Sequence, residues 1–365
     1  MRIVLVSPYA LSVHGGVQEQ TLSMSRSLSE RGHDVLVIAP DGDDTTHYDT
    51  PATVRCLGSL VSVRANGSRA PITLQLSVLR ETRRLVEEFA PDVVHLHEPV
   101  APLLGWSLLG AHRWPIVATF HRSGGFSGLR YARPLFTRLR RGVDAAVAVS
   151  ESAQRTAQQA FGVACSVLFN GIDVATLRRS PRKVPTESVI VTVGRLEERK
   201  GVATLIEAVL AHNRESEEGA WRLCIVGDGP ERAALEKLAY ASPAVTFVGA
   251  LANPEKNELL RSASVIVCPA LRGESFGIVV LEAMACEVPV VASDIDGYRQ
   301  ASGAQCLLSP PGDSSAMVRA IEEALHTSPQ AIDSATAYAA QWSMSALVDR
   351  YESIYAEAIE HFASR

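Results

Sequence analysis

In the stretch RGESFGIVVLEAMACEVPVVASD, residues 272–294, Glu282 stands alone on a segment that is otherwise apolar almost all round, and Glu274 precedes it with seven residues between them. A carboxylate on a buried helix demands a partner, because leaving it unpaired costs several kcal/mol. The two hydroxyls of a ribose would satisfy both oxygens; an internal salt bridge is the plainer alternative. Gly277 sits where the helix should begin, so the Glu274 carboxylate and the amides of Ser275, Phe276 and Gly277 are placed to hydrogen-bond a sugar.

A second group of residues is suited to an anion. In TVGRLEERKG, Arg195 and Lys200 follow a strand-like run and precede Gly201 and a helical pattern. Arginine by a fork of N–H groups and lysine as a point charge could together hold a diphosphate, and a solvated basic loop fits the same residues equally. Gly15 and Gly16 lie after the opening strand and directly before a helix, where amides and a helix N-terminus can approach an anion with no side chain in the way. A plain tight turn explains Gly-Gly as well. The spacing is not G-x-G-x-x-G, so the ordinary dinucleotide fingerprint is missing. His121 ends the apolar run PIVATFH. In HLHEP, His95 and His97 share one face of a strand beside Glu98, a spacing metals use, yet no third ligand accompanies them and no metal is expected.

These residues must be positioned by elements of two periods. Short β-branched runs (2–6, 34–38, 92–96, 116–120, 145–149) alternate with longer segments of helical spacing, such as Val17, Thr21, Met24 and Leu28 closed by Gly32. The pattern lapses through RRSPRKVPTES and restarts at 188–193, 221–226, 245–248, 265–267 and 289–292. This is an α/β chain of repeated βα units with parallel sheets. It divides into residues 1–168, residues 169–344 and a C-terminal helix, 345–365, able to pack across both domains. Two such domains facing across a deep cleft would bring the carboxyl ends of their strands together, where ligands of open α/β sheets bind.

Composition narrows the classes. With 365 residues and 47% hydrophobic content the chain can build two cores. No apolar run approaches membrane-spanning length, so a cytoplasmic protein is expected. Six cysteines without a C-x-x-C pair read as reduced thiols. Residues 1–168 carry 17 Arg and no Lys against 14 acidic residues, while the remainder is strongly acidic, so the first half is the one suited to an anionic surface. A net charge of −5 with no nucleic-acid-binding signature excludes a nucleic-acid partner.

Taken together, Glu274 with Glu282, Arg195 with Lys200, and the Gly15–Gly16 loop resemble the GT-B fold glycosyltransferases of family 4, retaining enzymes that use nucleotide-sugars, and the likeness runs through nearly the whole chain. Within that family PY…GGVQ, NGS at 66–68, VVHLHEPVAP, PIVATFH, NGIDVA and GESFGIVVLEAMA are similar to the actinobacterial phosphatidylinositol mannosyltransferases. The resemblance implies two Rossmann-like domains and a nucleotide-sugar donor. It assigns Arg195 and Lys200 to the donor diphosphate, in place of a metal, with the Gly15–Gly16 amides on the same anion. Glu282 would then hold the ribose, and Glu274 with Ser275, Phe276 and Gly277 the hexose. Catalysis would involve His121, Glu274, Arg195 and Lys200, with no cofactor. Tyr9, Gln18, Asn66, Ser68, Arg69 and His121 are implied on the acceptor side. No pair of carboxylates is left over to act as in a retaining glycosidase, so the departing phosphate is expected to help deprotonate the acceptor hydroxyl on the same face.

The acceptor pattern departs from the family at two places: residue 71 is Pro where an arginine belongs, with Arg69 nearby, and residue 122 is Arg rather than a small hydroxyl residue. A phosphatidylinositol-like lipid, a free cyclitol and a soluble sugar or natural product all stay open as acceptors, as does an epimerase of the same fold. Two basic stretches bear on the choice. One holds Arg80, Arg83 and Arg84; the other, GLRYARPLFTRLRRG, sets Tyr131, Leu135 and Leu139 at helical spacing beside Arg130, Arg133, Arg138, Arg140 and Arg141. Such a segment suits peripheral contact with anionic lipid at the inner face of the plasma membrane.

Overall fold

A computed structural model describes the chain apart from residues 14, 41–47, 66–67, 123–128, 216–218, 241 and 275, and gives no side-chain description for 64–65, 68–69 and 129–133. The chain forms two compact units, Met1–Gly171 with Met344–Arg365, and Ile172–Ser343.

In the first unit the strands are β1 (Arg2–Val6), β2 (Asp34–Pro40), β3 (Thr53–Leu57), β4 (Val61–Ala65), β5 (Ser68–Ile72), β6 (Val93–His97), β7 (Ile116–Phe120), β8 (Ala145–Ala148) and β9 (Ser166–Val167). Among the described residues they build a parallel sheet of order β3-β2-β1-β6-β7-β8-β9, with β4 and β5 apart as an antiparallel hairpin. Alternation along β1 divides its side chains between two cores: Val4 and Val6 pack with Val78, Val86 and Phe136, and Ile3 and Leu5 with Tyr351 and Tyr355 of the helix Met344–Ala363. Burial on both faces is why these strands read as continuous apolar runs.

The second unit holds β10 (Ser188–Val193), β11 (Trp221–Val226), β12 (Val245–Gly249), β13 (Val265–Cys268), β14 (Val290–Ser293) and β15 (Leu307–Ser309). Their parallel order among the described residues is β12-β11-β10-β13-β14-β15. Ile190, Leu223 and Val265 pack against Leu205, Ile206 and Val209 of the helix Val202–Glu215 and against Met317 and Ile321 of the helix Ser314–Leu325.

Each sheet has one place where chain order reverses direction across the sheet: between β1 and β6 in the first unit, and between β10 and β13 in the second. Loops leaving the carboxyl ends of such a pair diverge to opposite faces and leave a crevice there. The Gly15–Gly16 loop follows β1 and the HLHEP segment closes β6; the Arg195–Lys200 loop follows β10 and Glu274 follows β13.

Of the basic stretch around the helix Leu129–Leu139, Phe136 and Leu139 turn inward, 3% and 5% exposed, while Leu135 stays out at 40%. The 129–133 side chains, including Arg130, Tyr131 and Arg133, lie outside the described residues. Arg138, Arg140 and Arg141 are exposed, though the Arg140 guanidinium also donates to the Gly162 carbonyl.

Candidate functional site

The second unit supplies a chain of alternating charges. After β10 the backbone makes a short 3-10 turn, Glu198–Lys200, ending at Gly201 with φ +65, where a Cβ would overlap the carbonyl of Pro269 just after β13. That close approach demands glycine and pins the two loops together. Glu197 is buried, its carboxylate lying 3.3 Å from Arg195 Nε and 3.0 Å from Arg199 Nε. Arg199 reaches on to Glu274 Oε1 at 2.7 Å, and Lys200 Nζ meets the same oxygen at 2.7 Å. Three cations on two carboxylates leave these five side chains with a surplus positive charge. Lys200 and Glu274 thus meet directly, and Arg195 is joined to them through Glu197 and Arg199, two residues that the sequence did not single out.

Glu274 and Gly277 are held by the next turn of chain. A Cβ on Gly297 would overlap the Glu274 carbonyl oxygen, and one on Gly277, at φ +84, would run into the ring of Tyr298. Burial pushes the Tyr298 phenol well above its ordinary range, and the charge of Glu274 adds to the rise. Gly277 caps the helix Ile278–Ala285, and Phe276 beside it is buried. Ser275 lies outside the described residues. Glu282 is four-fifths buried on that helix and faces Lys256 of the helix Asn253–Arg261, Nζ to Oε1 3.7 Å. The partner that a buried glutamate requires is thus supplied by the protein itself.

In the first unit, Gly15 caps the helix Gly16–Glu30 with an extended backbone, and its α-carbon faces the Gln18 side chain closely enough that a Cβ would sit 2.5 Å from Oε1. Gly16 is different: among the described residues no atom lies within 4 Å of where its Cβ would be, and its φ is not positive. The fold does not require glycine at 16, which suits a position kept bare for a ligand. Gln18 is buried at 6%.

His121 stands one residue past β7, 7% exposed, with its Nε2 3.0 Å from His97 Nδ1. Burial drives its pKa down to about 3, so the ring is neutral. Glu98, fully enclosed and at φ +47, turns its carboxylate toward the end of β7: Oε2 accepts the amides of His121 at 3.0 Å and Arg122 at 2.8 Å. Burial raises the Glu98 pKa, opposed by those two hydrogen bonds and by the Arg122 charge. Tyr9, after β1, lies in the same field; burial raises its phenol pKa, Glu98 raises it further and Arg122 lowers it. His95 is fully used, with Tyr355 at 2.8 Å on Nδ1 and Thr119 at 2.7 Å on Nε2. His95, His97 and Glu98 thus serve neighbouring groups, and among the described residues no cluster of three or more His, Cys, Asp or Glu is arranged to hold a metal. Asn66 lies outside the described residues, and so do the side chains of Ser68 and Arg69.

Of the residues not singled out from sequence, Glu197 and Arg199 were visible only as part of the charge run EERK. Lys256 gave no signal, being one lysine on a polar helix.

Two family models match the chain: Glycosyltransferase Family 4 over residues 14–176 and Glycosyl transferases group 1 over residues 187–327. Curated relatives include a phosphatidyl-myo-inositol mannosyltransferase of Mycolicibacterium smegmatis, 35% identical over 88% of this chain and 84% of its own. The protein of that name in Mycobacterium tuberculosis is 34% identical over 82% and 79%. A glycogen synthase of M. tuberculosis is 30% identical over 89% of this chain and 86% of its own. Among solved structures, a glycosyltransferase of Rickettsia africae superposes with a TM-score of 0.77 at 17% identity, covering 98% of both chains. Anabaena Alr3699/HepE in complex with UDP-glucose gives 0.76 at 22% identity, covering 98% of this chain and 99% of its own. These likenesses establish the fold as GT-B, with two Rossmann-like domains.

Proposed function

The chain belongs to glycosyltransferase family 4, and from that premise we propose that it moves a hexose, with retention of configuration, from a nucleoside-diphosphate sugar to a hydroxyl of an inositol-bearing acceptor. The observation that carries the donor side is the Arg195–Glu197–Arg199–Glu274–Lys200 chain at the reversal point of the second sheet. A diphosphate arriving there draws Lys200 from Glu274, and Arg199 keeps Glu274 paired while its other oxygen is available to hexose hydroxyls. Arg195 and Lys200 oppose the charge that builds on the leaving phosphate, the work a divalent metal does elsewhere. Glu282 shares its carboxylate between Lys256 and the ribose.

The acceptor side is supported by the relatives' names and by one surface feature. Leu60, Leu74 and Leu76, at 40%, 49% and 72% exposed, flank the outer ends of β4 and β5, the strands between which Asn66 and Gly67 fall in sequence. Exposed leucines there suit an acceptor with an apolar body. Arg138 and Arg141 add positive charge for an anionic surface at which the chain works peripherally. Among the described residues no helix is long and apolar enough to cross a membrane.

The test mixes the full chain with a panel of nucleoside-diphosphate hexoses, each with phosphatidylinositol in vesicles, with free inositol, or with no acceptor, in the presence of a chelator. A hexosylated inositol lipid of retained anomeric configuration, formed undiminished in chelator, is expected. Isomerised donor in the acceptor-free arm, or activity abolished by chelation, would overturn the reading.

A further inference from the structure

His97 has no part in the transfer as described, yet its ring is 2% exposed and in direct contact with that of His121. β6 and β7 run parallel in register, His97 opposite Thr119, which brings the end of β6 beside the residue that follows β7. The two rings are tilted with centroids 5.2 Å apart, and the contact joins His97 Nδ1 to His121 Nε2. Their outer nitrogens, His97 Nε2 and His121 Nδ1, are both buried and have no protein partner among the described residues. Burial keeps both rings neutral, His121 at about 3 and His97 well below its ordinary value.

Two neutral imidazoles carry two protons on four nitrogens. One proton lies in the shared hydrogen bond, so the other must sit on an outer nitrogen. If His97 donates, it is on His121 Nδ1; if His121 donates, it is on His97 Nε2. These arrangements differ in what they bury. An orphaned N–H deep in a protein is rarer than an orphaned acceptor, because a donor has a single proton to satisfy and no second way of doing so. His97 is the deeper ring, its face stacked on His95 with centroids 4.4 Å apart. His121 is the less deeply buried ring, 7% exposed against 2%, and stands just past the end of β7, on the side of a parallel sheet where ligands bind.

We propose that His97 is a positioning residue for the transfer: its Nδ1–H donates to His121 Nε2 and so fixes His121 as the Nδ1–H tautomer, a neutral donor toward a substrate oxygen and not a base. This rests on the reading that His121 serves the reaction. Glu98 supports the arrangement by holding the backbone amides of His121 and Arg122, so that the ring cannot swing out of register with His97. His121 then stabilises negative charge on oxygen, and the proton of the acceptor hydroxyl must leave by another route.

The test reads the tautomer directly. In the full chain labelled with 15N-histidine, long-range 1H–15N spectra distinguish protonated from unprotonated ring nitrogens, with His121→Gln and His97→Asn spectra giving the assignments. Expected for the unaltered protein is a protonated Nδ1 and a bare Nε2 on His121; the reverse pattern overturns the proposal without need of any variant. His97→Phe should let His121 redistribute between tautomers and lower kcat at least tenfold with little change in KM for the donor. His97→Asn, whose amide N–H takes about the place of Nδ1, should restore much of that loss. A His121 spectrum unchanged in His97→Phe overturns the tautomer assignment. The expected tautomer with full kcat in both His97→Phe and His121→Gln leaves the ring geometry standing and overturns the role of the pair in transfer.

Discussion

At Glu197 a single buried carboxylate lies between two guanidinium groups, and its charge decides where both point. With Glu197→Gln the side chain keeps its size and loses its charge, so Arg195 and Arg199 lose the carboxylate they share and their mutual repulsion is no longer offset. Arg195 should then swing outward and Arg199 lean harder on Glu274. We expect KM for the nucleotide-sugar to rise about tenfold, with a smaller change in kcat, because ground-state and transition-state contacts to the diphosphate are lost together. Initial-rate kinetics with a melting curve check it; an unchanged KM in a folded variant removes Glu197 from the site. The contrast with its neighbours shows what sequence can carry at this scale. Arg195, Lys200, Glu274 and Glu282 announce themselves by being charged where glycines and apolar runs predict a strand end or a buried helix. Which of Glu197 and Glu198 turns inward depends on the 3-10 turn and on the left-handed Gly201, and no spacing in EERKG reveals it.

Among the elements, β6 and β7 carry an unusual load for a sheet interior: His95, His97 and His121 are all buried and neutral. The pKa of His95 falls from 6.5 to about 3, burial being the larger cause and His121 the lesser. Its folded-state value is depressed, so the unfolded chain binds the extra proton, and stability that is complete above about pH 6.5 declines as pH falls toward 3. Each unit of pH below 6.5 removes about 1.4 kcal/mol for such a histidine. Glu98 works the other way, since its pKa is raised and the folded chain takes up its proton first. Calorimetry at pH 7.5 and 5.5 should show a marked fall in Tm for the unaltered chain and a shallower one for His95→Asn, even though that variant starts lower for want of its bonds to Tyr355 and Thr119. Parallel slopes would mean that His95 is solvated. Strands with both faces covered were legible as apolar runs. β3, the β4–β5 hairpin, β9 and β15 were not, because they are short or lie at an edge and mix polar with apolar residues as a loop does.

For the molecule as a whole, the order of elements along the chain determines when each unit can be completed. The second unit, Ile172–Ser343, is one continuous segment, whereas the first takes its last helix from Met344–Ala363. The βα alternation and the break between the two halves could be read from periodicity, and the aromatic-bearing terminal helix could be seen, but its seat could not, since amphipathic spacing gives a face and not a destination. That seat is extensive: Met344, Leu347, Val348, Tyr351, Tyr355 and Ala358 are buried against one face of the first sheet, and Tyr355 and Tyr351 hydrogen-bond His95 and Thr119 at 2.8 Å each. At about 1.5–3 kcal/mol for each large buried side chain, the helix contributes on the order of 10 kcal/mol, comparable to the entire stability of an ordinary domain. Removing residues 344–365 should therefore unfold the first unit and spare the second. Hydrogen exchange read by mass spectrometry on the shortened chain should show β1, β6 and β7 exchanging within seconds while β10, β13 and the helix Val202–Glu215 keep their protection. Retained protection in β6 and β7 would show that the helix is an accessory to a sheet already stable without it, and the buried His95–Tyr355 and Thr119–Tyr351 bonds would then carry far less of the first unit than their burial implies.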